Sequence, residues 1–157
     1  MNRSLIRSTY LLYLALLLGQ FVFCLIVIFM LTQPDSPMVR EGTDYLYLGL
    51  LVILMAGSAA MIVNQLRNKQ IPKIRANFEG KVLHYRTTVV MRSAMVEAGN
   101  LFCIVLSILE RSLTPLLIFA LGLLVFLYFR PRVEEIATNY QLAGEERQKL
   151  ERQLKRN

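Results

Sequence analysis

Apolar residues fall in four long runs that are separated by polar segments. The runs cover about 10–31, 45–63, 91–109 and 114–129. A helix needs about 20 apolar residues to cross the roughly 30 Å of hydrocarbon in a bilayer. The pattern therefore predicts an all-α integral membrane protein with a four-helix transmembrane domain at 1–132. A short cytoplasmic helical tail is expected at 133–157.

Three details refine these elements. The first run has 22 residues, longer than the roughly 7–15 apolar residues of a signal peptide, so it is expected to remain as a span. Ala56 and Ala60 lie four residues apart in a patch of small residues, which predicts close helix packing in lipid. In the basic connection before the third run, 76–90 has helical spacing of apolar residues and predicts an interfacial helix that lengthens the third span.

The tail carries opposite charges four residues apart, such as Glu145 with Lys149, which favours an exposed helix. A weak heptad runs through Ile136, Tyr140, Ala143, Leu150 and Leu154. A short coiled coil or a docking helix would use this pattern. The broken spacing favours a solvated, partly frayed tail instead.

Charge determines the expected orientation. Hydrophobic residues make up 55% of the chain. Of its 18 lysines and arginines, 16 lie in the N-terminal tail, in residues 64–92 or in the C-terminal tail. Basic residues mark the cytoplasmic side, so both termini are predicted to lie in the cytoplasm, in a bacterial inner membrane. The net charge of +7 then indicates contact with anionic lipid headgroups rather than with nucleic acid. The residues expected to face those headgroups are Arg67, Lys69, Lys73, Arg75, Lys81, Arg86 and Arg92.

The third run contains the candidate chemistry. Ser93, Glu97 and Asn100 share one helical face with Ile104 and Ser107, while Val96 lies on the opposite face. A polar stripe in a span should face other helices rather than lipid. By depth along their helices, Gln20 and Ser58 fall near this stripe. The sequence therefore predicts a polar cluster of Gln20, Ser58, Ser93, Glu97 and Asn100.

Glu97 has three possible roles in such a cluster. Burial disfavours its charged form, and a neutral carboxyl can hold helices together by hydrogen bonds. With access to water, the same group can exchange a proton or bind a cation. It can also bind a lipid or another ligand.

The segment 94–102 reads AMVEAGNLF and resembles the A-x-x-E-A-x-x-[LI]-[FY] pattern of the c-type proteolipids of rotary ATPases. The resemblance implies that Glu97 is an ion-carrying carboxylate on the outgoing helix of a hairpin with a cytoplasmic loop. It covers nine residues. The 27-residue connection, the missing Arg-Gln-Pro signature and the missing glycine ladder depart from the family.

The chain lacks sequence motifs for a hydrolase nucleophile, a phosphate loop or a zinc protease. Cys24 and Cys103 lie within apolar runs, where thiols behave as small hydrophobes, and His84 is the single histidine. We therefore expect a non-enzymatic accessory or scaffold protein without a metal or cofactor, bound to a protein partner or to further copies of itself. The alternative is a small proton- or cation-coupled transporter or energy-coupling subunit that uses Glu97.

Overall fold

In a computed structural model the chain forms a bundle of helices. The structure describes residues 5–33, 44–71 and 78–142, together with 144, 146 and 148. Its helices are α1 (Leu5–Leu31), α2 (Asp44–Gln70), α3 (Phe78–Glu110), α4 (Thr114–Tyr128) and α5 (Val133–Asn139). None of the described residues forms a β-strand. The predicted all-α class is confirmed.

Three of the helices, α1, α2 and α3, are long and apolar enough to cross a membrane. They support the predicted class of integral membrane protein. α4 has 15 residues and is about 22 Å long, which is shorter than the hydrocarbon layer. α3 begins at Phe78, so the predicted interfacial helix and the third span form one continuous helix.

α3 is the central helix and packs against α1, α2 and α4. Because it has neighbours on several sides, more than one of its faces is buried. Val96, which the sequence placed on the face opposite the polar stripe, is buried as well. The outer helices expose large apolar side chains such as Leu25, Leu54 and Leu124. An apolar exterior of this kind suits contact with lipid.

The helices alternate in direction along the bundle. Ile6, near the start of α1, packs with Val82, near the start of α3, while Val27 packs with Cys103 towards the other end of both helices. α2 runs the opposite way, because its glycine at Gly49 lies beside Cys103. Phe126, near the end of α4, stacks on Tyr13 in the first half of α1, so the end of α4 lies at the same end of the bundle as the start of α1.

Small residues bring α2 and α3 close together. A Cβ atom added to Gly99 would lie 2.9 Å from the Cβ of Ala56, so a larger residue could not be placed there without movement. Ala60, one turn further along α2, is fully buried. The close packing predicted from the small-residue patch is confirmed.

At one end, α3 extends beyond α4. The guanidinium of Arg92 lies 5.8 Å from the ring centroid of Phe129, directly after α4, so residues 78–91 reach about 20 Å further. We call this end the head; it comprises the first turns of α1, the last turns of α2, residues 78–92 and residues 130–142. Its apolar core is formed by Ile6, Val82, Tyr85, Val89, Ile136 and Tyr140.

Two helices end in the same backbone motif. At the end of α3, Arg111 has a positive φ of 52° and the N–H of Ser112 donates to the carbonyl of Ser107. After α5, Gln141 has a φ of 45° and the N–H of Leu142 donates to the carbonyl of Ala137. Both are Schellman motifs, which satisfy the last carbonyls of a helix. The second one turns Leu142 back towards the core of the head.

Candidate functional site

The polar stripe of α3 faces the inside of the bundle for most of its length. Ser93, Asn100 and Ser107 are buried, as predicted. Glu97 is only partly buried and lies at the edge of the stripe. The hydroxyls of Ser93 and Ser107 make no hydrogen bond with the described part of the chain.

One pair from the predicted cluster forms. The side-chain amide of Asn100 donates a hydrogen bond to the Oε1 of Gln20 over 2.7 Å, and both residues are fully buried. Gln20 Nε2 and Asn100 Oδ1 have no partner among the described residues. Gly122 of α4 lies against this amide, because a Cβ there would overlap Asn100 Oδ1. The pair thus joins α1 to α3. It lies against Gly122 of α4, where there is no room for a side chain.

The prediction that Ser58 belongs to this cluster is wrong. The buried face of α2 carries Ile53, Gly57 and Ala60, at steps of four and three residues. Ser58 follows Gly57 and is therefore turned about 100° away, where its side chain is exposed. The depth estimated from the sequence did not determine which face of α2 points inward.

A second polar site lies in the head, around Arg92. Its guanidinium contacts Glu135 of α5 through two nitrogens, at 2.6 and 2.9 Å, and donates to Asn64 Oδ1 of α2 at 3.1 Å. Arg92 is 3% exposed, whereas the Glu135 side chain is 21% exposed. A fork-shaped pair of this kind fixes orientation as well as charge. It connects three segments that are distant in sequence.

Tyr85 of α3 forms hydrogen bonds with the segment that leads into α5. Its hydroxyl accepts a hydrogen bond from the backbone N–H of Arg132 at 2.9 Å. The hydroxyl oxygen also lies 3.1 Å from the Arg132 carbonyl and 3.2 Å from Glu135 Oε2. Because Tyr85 is buried, it fixes the backbone just before α5 begins.

His84 and Tyr140 form a further contact between α3 and the segment after α4. The His84 Nδ1 and the Tyr140 hydroxyl are 2.6 Å apart. Burial raises the pKa of Tyr140 to about 12, so its hydroxyl keeps its proton at neutral pH. The predicted solvated tail is therefore wrong for its first part, since Ile136 and Tyr140 dock in the core of the head. Ala143, Leu150 and Leu154 lie outside the residues whose side chains the structure describes.

The basic residues predicted to face lipid headgroups divide into four groups. Arg92 is buried in its ion pair, which corrects its predicted exposure. Arg67 donates to Thr88 and to the carbonyl of His84, and Lys81 pairs with Glu146 at 2.9 Å, so both are used within the protein. Lys69 is exposed and Arg86 is partly exposed, which leaves the prediction open for them. Lys73 and Arg75 lie outside the described residues.

A cavity of about 290 Å³ lies beside the Arg92–Glu135 pair. Arg92, Arg130 and Arg132 line it, together with Asn64, Glu134 and the exposed Tyr128. The sequence singled out neither this cavity nor Tyr85 and Glu135. The sequence shows an arginine at the start of a span and carboxylates in the tail. These features are common, and nothing in the sequence indicates that the two are in contact.

Reactive groups elsewhere are few in the described ranges. Cys24 and Cys103 are buried free thiols. No three histidine, cysteine or acidic side chains within 5–33, 44–71 and 78–142 come together in a way that could hold a metal ion. No protein-family model, curated protein or solved structure matches the chain.

Proposed function

We propose that this chain is a four-span protein of a bacterial inner membrane with both termini in the cytoplasm, and that it is a non-enzymatic accessory or scaffold protein. Its partner would be another protein or a further copy of the chain, bound through the C-terminal tail or the spans. The lopsided distribution of lysine and arginine supports the orientation. The antiparallel course of α4, which ends beside Arg92, supports a fourth crossing. A bilayer can thin around a short span at modest cost.

The observation that carries the proposal is the attachment of the first part of the tail to the head. Glu135 pairs with Arg92, the Arg132 backbone bonds to Tyr85, and Tyr140 contacts His84. These contacts hold 130–142 in one orientation at the end of the bundle. The chain after Leu142 therefore starts from a defined position. A fixed starting point reduces the freedom that a tail loses when it binds a partner.

A truncation tests the role of the tail. A chain ending at Leu142 keeps α5 and its contacts but lacks the remaining residues. We expect a protein that co-purifies with the full chain from its native membranes to be depleted about tenfold or more, equivalent to about 1.4 kcal/mol of binding. Quantitative mass spectrometry measures the ratio of partner to bait. Equal recovery with both chains would contradict binding through the tail, and recovery of no partner by either would contradict a scaffold for another protein.

The second hypothesis, a proton- or cation-coupled protein, depends on Glu97. The observation in its favour is that Glu97 is a partly exposed carboxylate within the apolar length of α3, accessible from outside the helix bundle. The resemblance to c-type proteolipids implies that a proton- or cation-coupled protein of this kind would assemble into a ring. Its particle mass in mild detergent would then be that of many copies.

Ion flux separates the two hypotheses. For an accessory protein, proteoliposomes with the native chain and with Glu97→Gln should show the same background flux under an imposed pH gradient. Glu97→Gln keeps the size of the side chain and removes its titration. A flux present in the native chain and abolished in Glu97→Gln would refute the accessory proposal. Glu79→Gln, in the first turn of α3, is the matched control.

A further inference from the structure

Three arginines line the cavity in the head, and only one of them forms an ion pair with a described residue of the protein. Arg92 is held by Glu135 and Asn64, yet its Nε is buried and has no partner among the described residues. Arg130 and Arg132 are exposed at the cavity, and neither side chain forms a salt bridge with a described carboxylate. One unpaired carboxylate, Glu134, opposes them. The lining is therefore cationic overall.

The size and the chemistry of the lining suit a small anion. Small-molecule pockets begin at about 300 Å³, so a cavity of about 290 Å³ has room for a compact polar group. Guanidinium groups present planar donors that match the oxygens of a phosphate two at a time. The Asn64 amide adds a neutral polar group to the wall. We propose that this cavity binds a phosphate group, with Arg130 and Arg132 as its main ligands.

The position of the cavity bears on the source of the phosphate. Tyr128 is the last residue of α4, and Phe129 and Arg130 follow it directly. Aromatic residues followed by arginine are typical of the level where lipid headgroups lie. Basic pockets between spans on the cytoplasmic side bind the phosphates of anionic lipids. A lipid headgroup can therefore reach the cavity from the bilayer, and free phosphate can reach it from the aqueous side. The lipid route rests on the proposed four-span topology.

Two arginine-to-glutamine changes test the site. Arg130→Gln and Arg132→Gln are combined in the full chain, purified in detergent, and titrated with phosphatidylglycerol, with zwitterionic phosphatidylcholine or with inorganic phosphate. Native mass spectrometry counts the bound ligand. We expect phosphatidylglycerol to bind the double variant about 100-fold more weakly, with about tenfold from each arginine. Both side chains are exposed, and Arg132 holds Tyr85 through backbone atoms, so the fold should persist.

The matched control removes two other basic residues of the same end, Lys69→Gln with Arg86→Gln, which do not line the cavity. This control should bind phosphatidylglycerol as the native chain does. Tight binding of phosphatidylglycerol but not of inorganic phosphate would establish a lipid as the source, and the reverse would establish free phosphate. Equal weakening in the control and the double variant, or no weakening in either, would overturn the site. The truncation at Leu142 leaves the cavity intact. Loss of partner binding in the truncated chain and loss of phosphate binding in the arginine variants are therefore measured independently.

Discussion

Replacing Glu135 with alanine is expected to release α5 from the head without unfolding the bundle. The free energy that holds α5 in place should fall by about 3 kcal/mol, because Arg92 would be left buried without its carboxylate. Loss of one partner of a buried ion pair costs about 3–5 kcal/mol. We take the lower end because the Glu135 side chain is 21% exposed and a cavity adjoins the pair, so water can reach Arg92.

Hydrogen exchange measures this loss at individual amides. The N–H groups of Tyr140 and Leu142 donate to the carbonyls of Ile136 and Ala137 and report whether α5 is formed. A change of 3 kcal/mol corresponds to about 100-fold faster exchange at these positions. Amides in the middle of α3 should keep their native protection. Faster exchange throughout the bundle would show that α5 is required for the whole fold, contrary to this expectation.

Two further variants identify the cause. Glu134→Ala removes the neighbouring carboxylate from the same first turn of α5, so it matches any effect on the helix terminus. It should leave exchange nearly unchanged. Arg92→Leu combined with Glu135→Leu removes both charges, and replacement of a buried pair by apolar residues is often neutral. Protection of α5 that is lost in Glu135→Ala and regained in the double variant would assign the effect to the unpaired arginine.

The helices could be predicted from the sequence because hydropathy is a local property. The first three apolar runs lie within helices and the fourth extends one residue past α4, and the small residue at Ala56 correctly indicated close packing. The predicted second span ended at residue 63, whereas α2 continues for seven residues to Gln70; the extension of the third span over 76–90 was predicted, and α3 begins at Phe78. Polar residues can continue a helix when its other side is packed, and that packing depends on segments far away in the chain.

The polar contacts were harder to predict because they depend on rotation and partners. Asn100 and Gln20 were expected to be near each other, and they are hydrogen-bonded. Ser58 was assigned from depth alone and lies on the wrong face of α2. Arg92 was expected at the lipid surface because a basic residue at the start of a span usually lies there. Its partner Glu135 is 43 residues away, and no periodic pattern connects the two positions.

Replacing Gly122 with alanine should destabilise the bundle by about 3 kcal/mol, the largest effect we expect for the addition of a single methyl group. The new Cβ would overlap Asn100 Oδ1 and lie 2.8 Å from Ile53 Cδ1. The end of the isoleucine can move, but the amide is held by Gln20. Overpacking costs about 1–3 kcal/mol, and a shifted amide also weakens an interhelical hydrogen bond worth about 0.6–2 kcal/mol. Reversible unfolding in mixed micelles measures the sum.

Gly57→Ala is the matched control for this prediction. Gly57 is also buried in a helix, but the nearest atom to its added Cβ would be Val125 Cγ1 at an ordinary 3.6 Å. Both changes gain similar helix propensity, up to about 1 kcal/mol, so the control should be neutral or slightly stabilising.

A double-mutant cycle then locates the clash at the Gln20–Asn100 pair. In an Asn100→Ala background the overlapping oxygen is gone, and Gly122→Ala should cost less than about 1 kcal/mol. An undiminished cost in that background would show that Asn100 does not fill the space beside Gly122. The absence of a side chain at 122 would then serve the approach of α4 to Ile53 rather than the buried amide pair. A diminished cost would instead mean that α4 keeps a glycine at 122 so that α1 and α3 can be joined by a hydrogen bond inside the bundle.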